Sequence, residues 1–345
     1  MNNMNFLLSS ITFLTYFLPL VIECNKKNIQ VIFYIRANKK IYANPKSKIN
    51  SKILNKYIKR YKIQISSDNI IKDGPIICVD GDIYGPYKND KLSLIYHNNK
   101  NNKNNKNNKI ISLQENLNFI WNYDYYKNNV DYIIFPSKSY AKLYNKISDN
   151  NVYIGNTKYD YILSSEAIYT KYKLNPKIKY VLVLFPKQKF IKNYNIKSKH
   201  LINIYNYLHH MGFKIIVKSR PKDAVSLNCN GDLLIISDIF PNESLELMKI
   251  SELCILFSSS AIEETIMMEI PTIDFLVDNE IERRLEFLCK DSTIQLIKNW
   301  KNLEFKVFTD AINQLAPKNS EIYKKLKTDY LFEGNISKKI LDFIL

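Results

Sequence analysis

The chain has 345 residues, 46% of them hydrophobic, and a formal net charge of +17. That is enough apolar material for two domains with buried cores, which excludes a chain too polar to fold. The charge raises nucleic acid as a partner, but Lys is abundant together with Asn, Ile and Tyr while Gly numbers only 7, the pattern of an AT-rich genome. No RNP, zinc-finger or helix-turn-helix spacing accompanies it, so a nucleic-acid partner is not expected. A phosphate-rich substrate, or peripheral contact with an anionic membrane, suits the same balance.

The N-terminal run from Phe6 to Ile22 carries no charge. No Lys or Arg precedes it, Ser, Thr and Pro19 interrupt it, and it ends in Glu23-Cys24-Asn25-Lys26-Lys27 without a small-residue cleavage site. It therefore reads as a strand (Asn5–Leu8), a serine turn and an amphipathic helix with Phe13, Tyr16, Phe17 and Leu20 on one face, rather than a membrane anchor. Strands are predicted at Ile29–Ile35, Lys62–Ile65, Ile76–Val79, Leu92–Tyr96, Tyr132–Phe135 and Val152–Ile154, with helices over Ile11–Asn25, Ile49–Arg60 and Ser137–Ile147. Residues 98–109 are a repeat of Asn and Lys with no apolar side chain, which predicts a disordered loop. The five cysteines (Cys24, Cys78, Cys229, Cys254, Cys289) lack CxxC spacing and several sit in apolar runs. They read as free thiols in a reducing, cytoplasmic setting. The four histidines have no zinc-ligand spacing, and no metal or other cofactor is expected.

Ser164–Lys177 reads as an interdomain connection, after which the alternation restarts. Strands are predicted at Tyr180–Phe185, Phe213–Lys218, Leu233–Ile236, Leu253–Phe257 and Thr272–Val277. Helices are predicted over Ile196–Met211, closed by Gly212, and over Ser244–Ile250, Lys301–Leu315 and Ser337–Phe343. The expected fold is α/β, with an N-terminal Rossmann-like domain over 1–165, a second over 175–330, a C-terminal helix in 331–345, and a ligand cleft between the two domains.

Three segments carry candidate chemistry. Leu253–Phe275 is a buried strand, the turn Ser258-Ser259-Ser260, and a helix over Ala261–Met268 bearing Glu263 and Glu264. Ser260 is an N-cap candidate with Glu263 at the capping-box position. The same turn offers hydroxyls and backbone N–H groups to a phosphate, and Glu264 is placed to accept from ribose hydroxyls. Phe213–Pro221 is a strand ending in Lys218 and Arg220, cations at the carboxyl edge where a diphosphate would lie. Val152–Asp160 is a strand closed by Gly155-Asn156, a turn that allows a close backbone approach.

The order of these motifs resembles the GT-B superfamily of nucleotide-sugar enzymes. The likeness is to the branch holding CDP-glycerol glycerophosphotransferases, polysaccharide glycosyltransferases and UDP-GlcNAc 2-epimerases. Gly155-Asn156-Thr157-Lys158-Tyr159-Asp160 matches its G-N-x-x-x-D turn, Lys218-Ser219-Arg220-Pro221 its K-x-[HR]-P strand end, and Ser258–Glu264 its nucleotide-binding turn and helix. Pro271-Thr272-Ile273 matches the strand that follows, and Asp131–Ser137 an earlier strand leading into a helix. Glu269 stands where the branch has glycine, and no T-E-R-P-E signature is present. The resemblance implies a metal-independent transferase that moves a sugar or glycerol phosphate from a UDP- or CDP-activated donor to a glycan or lipid-linked acceptor. A 2-epimerase or an inactive nucleotide-binding protein are the alternatives. Gly155, Asn156, Lys218, Arg220, Ser258, Ser259, Ser260 and Glu264 would hold the nucleotide. His97, Asp80 and Asp82, at or after predicted strand ends, are the candidate catalytic bases.

Overall fold

Short runs such as QVIFYI, YVLVL and LCILF are apolar without alternation, the pattern of strands covered on both faces. The computed structural model shows them in two parallel sheets. It describes residues 3–8, 11–35, 46–66, 71, 73–79, 109–114, 130–143, 145–219, 231–236, 240, 242–277, 292–330 and 334–345. These form two units, Met1–Tyr161 together with Thr328–Leu345, and Ile162–Lys327. The strand expected at Leu92–Tyr96 and residues 98–108 of the Asn/Lys run lie outside the described residues.

In the first unit, β1 (Asn3–Leu8), β2 (Gln30–Ile35), β3 (Gln64–Ser66), β4 (Ile76–Val79), β5 (Ile110–Leu113), β6 (Tyr132–Phe135) and β7 (Asn151–Tyr153) pair in the order β3-β2-β1-β4-β5-β6-β7. Every pairing is parallel. The helices among them are α1 (Leu14–Lys26), α2 (Lys46–Tyr61) and α3 (Lys138–Leu143). β5 was not foreseen, because its four residues follow directly on the Asn/Lys run.

The uncharged N-terminal run is strand and helix, as expected, but α1 is not simply amphipathic. Leu14, Tyr16, Phe17, Leu18, Leu20, Val21 and Cys24 are all buried. Phe17 packs on Phe6 of β1 and Phe33 of β2 at ring distances of 5.1 and 6.1 Å. A helix that contacts both the sheet and a further layer has little surface on which to carry charge, which is why the run mimics a membrane segment. No helix among the described residues is long and apolar enough to cross a membrane.

In the second unit, β8 (Tyr180–Leu184), β9 (Lys214–Ser219), β10 (Leu233–Ile236), β11 (Leu253–Phe257), β12 (Thr272–Phe275) and β13 (Ile294–Ile297) pair in the order β10-β9-β8-β11-β12-β13, again all parallel. The helices are α4 (Ser165–Tyr172), α5 (Gln188–Asn193), α6 (Ser198–His210), α7 (Glu243–Ile250), α8 (Ile262–Met267), α9 (Phe305–Asn313) and α10 (Glu321–Tyr330). Val181, Val217, Ile255, Phe275, Trp300 and Phe308 lie in one core between sheet and helices. Gly212, at φ 83°, turns the chain from α6 into β9 as predicted.

The stretch read as an interdomain connection contains α4. Ser164 caps it by accepting from the Ala167 N–H at 3.3 Å. Lys171 and the Tyr172 hydroxyl both reach the fully buried Glu246 of α7, at 2.6 and 2.7 Å. The segment's polar composition concealed a helix held by one buried carboxylate. The unforeseen α5 and β13 are short, six and four residues, and α10 was also unforeseen.

The chain then returns to the first unit. α11 (Ile336–Ile344) packs against α1, and Phe343 meets Tyr132 edge-on at 4.9 Å. Its N-terminal Ser337 and Ile336 N–H groups donate to the Asp160 carboxylate at 2.6 and 3.3 Å, in the manner of a helix cap.

Glu269, where a glycine was expected, follows α8 in the left-handed region at φ 53°. Its side chain pairs with Lys327 of α10 at 2.5 Å, both groups largely buried. The ion pair offsets a strained backbone that glycine would adopt without cost. Glu269→Ala loses the pair and keeps the strain, whereas Glu269→Gly loses both, so the Gly variant should be the more stable of the two by about 1–2 kcal/mol. Equal midpoints in urea unfolding would refute this.

Candidate functional site

In a parallel sheet all carboxyl ends lie on one edge, and a crevice forms where the strand order reverses. In the second unit that reversal lies between β8 and β11. A cavity of about 210 Å³ opens there. Lys187 follows β8, Lys218 is the penultimate residue of β9, Asn242 caps α7, and Ser259, Ser260 and Glu264 come from the turn and helix after β11; all six line it.

The three serines have different roles. Ser258, at φ 45°, is fully buried. Its N–H donates to the Asp274 carboxylate at 2.6 Å, and its hydroxyl accepts from the Val277 N–H at 2.8 Å. It joins the ends of β11 and β12 and does not line the cavity. The Ser259 hydroxyl accepts from the Ala261 N–H at 3.3 Å. Ser260, expected to be the helix cap, is not: the helix begins at Ile262 with Ala261 at the cap position. The turn after β11 uses one residue more than a simple cap requires, which leaves Ser260 half-buried at the cavity. Glu263 is buried and Glu264 lines the cavity, as the rotation of about 100° per helical residue dictates.

The Lys218 side chain is buried, with its Nζ 3.0 Å from the Ser219 carbonyl oxygen and 3.8 Å from the Glu243 carboxylate of α7. The cation expected at the β9 end therefore has an acidic neighbour of its own. Arg220 lies outside the described residues, as do Asp80, Asp82 and His97. Lys187 was not singled out, although a cation directly after the apolar run YVLVLFP carries the same signal as Lys218.

No family model matches the chain, and no curated protein matches it in sequence. Solved structures do. The wall teichoic acid polymerase TagF, in a structure soaked with CDPG, is 14% identical with a TM-score of 0.60, covering 99% of this chain and 88% of that one. MnaA of S. aureus, in a co-structure with UDP, is 14% identical at TM-score 0.57, covering 100% and 96%. The UDP-GlcNAc 2-epimerase of Methanocaldococcus jannaschii is 12% identical at TM-score 0.55, covering 99% of each chain. The fold is GT-B.

Within this GT-B chain, the G-N-x-x-x-D turn belongs to the first unit. Gly155, at φ 128°, donates its N–H to the Phe135 carbonyl at 3.2 Å. The Asn156 carboxamide oxygen accepts from the Lys158 N–H at 3.1 Å and caps a 3-10 turn over Thr157–Tyr159. The Thr157 hydroxyl donates to the Tyr16 carbonyl of α1 at 2.7 Å, and Asp160 caps α11. These contacts tie α1 and α11 together. Gly155 and Asn156 are not among the residues lining the second unit's cavity.

Asp274 was missed, though its signal is plain: a lone carboxylate inside the apolar strand TIDF. Burial pushes its pKa up from 3.8 to about 7, against the opposing pull of the Ser258 and Ser259 backbone amides. An unfolded carboxyl ionises near 3.8, so between that pH and about 7 the folded chain binds more protons than the unfolded one. Stability from this group is therefore full below the window and falls as pH rises through it, by up to about 4 kcal/mol. Asp274→Asn should gain on the parent protein by that order when urea unfolding is compared at pH 4.5 and pH 8. A pH-independent difference would refute the assignment.

Proposed function

We propose that the chain is a GT-B glycosyltransferase that moves a sugar or glycerol phosphate from a UDP- or CDP-type donor to a glycan or lipid-linked acceptor. The observation that carries this reading is the cavity at the β8–β11 reversal, lined by Lys187, Lys218, Ser259, Ser260 and Glu264 among others. Lys187 and Lys218 would neutralise the donor's phosphates, Ser259 and Ser260 would donate hydroxyl hydrogen bonds to them, and Glu264 would accept from the ribose. Two structures of similar fold were determined with CDPG or UDP, which supports a nucleotide-type ligand for this chain.

In the reaction, the acceptor oxygen forms the new bond and its proton passes to a base. The bond to the nucleoside phosphate breaks, and the negative charge that develops on the leaving group is met by the lysines. His97, Asp80 and Asp82 of the first unit are the proposed sources of the base. A membrane-associated acceptor would suit the net charge of +17.

Lys218→Ala should weaken UDP or CDP binding by about 1–3 kcal/mol in calorimetry. Because it would also strand Glu243, the double variant Lys218→Met/Glu243→Gln serves as the folded control. Unchanged affinity in both excludes Lys218 from the site.

A second reading, epimerisation of UDP-GlcNAc, is supported by the likeness to the M. jannaschii epimerase. Incubation with UDP-GlcNAc alone separates the two. UDP and ManNAc released without an acceptor would favour the epimerase, whereas turnover that begins only on adding an acceptor fits the transferase.

A further inference from the structure

We infer that Asp274 is a positioning residue for the nucleotide site, holding the left-handed turn that presents Ser259 and Ser260 to the cavity. The inference rests on the nucleotide reading of that cavity and adds to it a residue that does not touch the ligand. Asp274 lies on β12, an interior strand of the second sheet between β11 and the edge strand β13, fully buried and in register with Leu256 of β11. Its side chain reaches past the end of β11 to accept the Ser258 N–H at 2.6 Å.

Ser258 needs such an anchor. Its φ of 45° is a conformation that a serine adopts only at a cost. Two hydrogen bonds cross between the strands at this point and hold it there: Ser258 N–H to the carboxylate, and Val277 N–H to the Ser258 hydroxyl. The pair defines where the chain leaves β11, and therefore where the next two serines sit.

The arrangement also accounts for an expensive feature. A carboxylate inside a buried parallel strand is disfavoured, and among the described residues the second Asp274 carboxylate oxygen is buried with no hydrogen-bond partner. An apolar residue here would serve the core better. A carboxylate is the better choice only for what it does to the turn.

The test compares Asp274→Val, which fits the buried strand but removes the acceptor, with Asp274→Asn, which keeps an acceptor oxygen. The Val variant should bind UDP at least about tenfold more weakly while its melting temperature is unchanged or raised, and Asn should restore most of the affinity. A purely structural role would instead lower stability and affinity together. The Ser258 and Ser259 amides should exchange with deuterium faster in the Val variant without nucleotide present. If the parent protein binds UDP and the Val variant binds it equally, or if amide exchange is unchanged, the positioning role is wrong. If amide exchange quickens but the parent protein binds neither UDP nor CDP, the turn is held by Asp274 and it is the nucleotide reading that fails.

Discussion

Every strand pairing among the described residues is parallel, and most features of the molecule follow from that constraint. Parallel neighbours cannot be joined by a tight turn, so each connection must cross a face of the sheet, most often as a helix. Both faces are then covered, the strands become apolar throughout, and the carboxyl ends collect on one edge. Where the order reverses, between β8 and β11, successive connections leave to opposite sides and a crevice is left open. The cavity is a consequence of strand order before any of its side chains is considered.

The chemistry of that crevice is set by buried carboxylates as much as by cations. Glu243 stands beside Lys218, Asp274 lies behind the serine turn, and Glu246 one turn further along α7 anchors α4. In a low-dielectric interior each has a large effect on whatever charge or N–H faces it. Acids placed around a site that would receive a polyanion keep the lysines and backbone amides oriented when no ligand is present. This arrangement favours definition of the site over raw positive potential, and it weakens any argument from the net charge of +17 alone.

The first unit depends on a different economy. α1 is covered by the sheet and by α11, so the last residues of the chain complete the layer begun by the first. Asp160 fastens this closure by capping α11, and Thr157 fastens α1. Within the G-N-x-x-x-D turn it is Thr157 and Asp160 that hold these two helices together.

Much of this was legible in the linear chain. Runs such as IICV, YIIF and LCILF could be placed because fully buried strands are short, apolar and bounded by polar residues. The β–turn–helix around Ser258–Glu264 and the cation near the end of β9 were legible for the same reason, since local pattern decides them. What could not be read was anything whose meaning lay in a distant partner. α4 needed Glu246, the αL backbone at Glu269 needed Lys327, and the division of labour among three adjacent serines needed Asp274, sixteen residues away. A hydroxyl or an N–H looks the same in sequence whether it faces a ligand or a neighbouring strand. Only the packed structure decides which, because burial leaves each polar group one set of partners within reach.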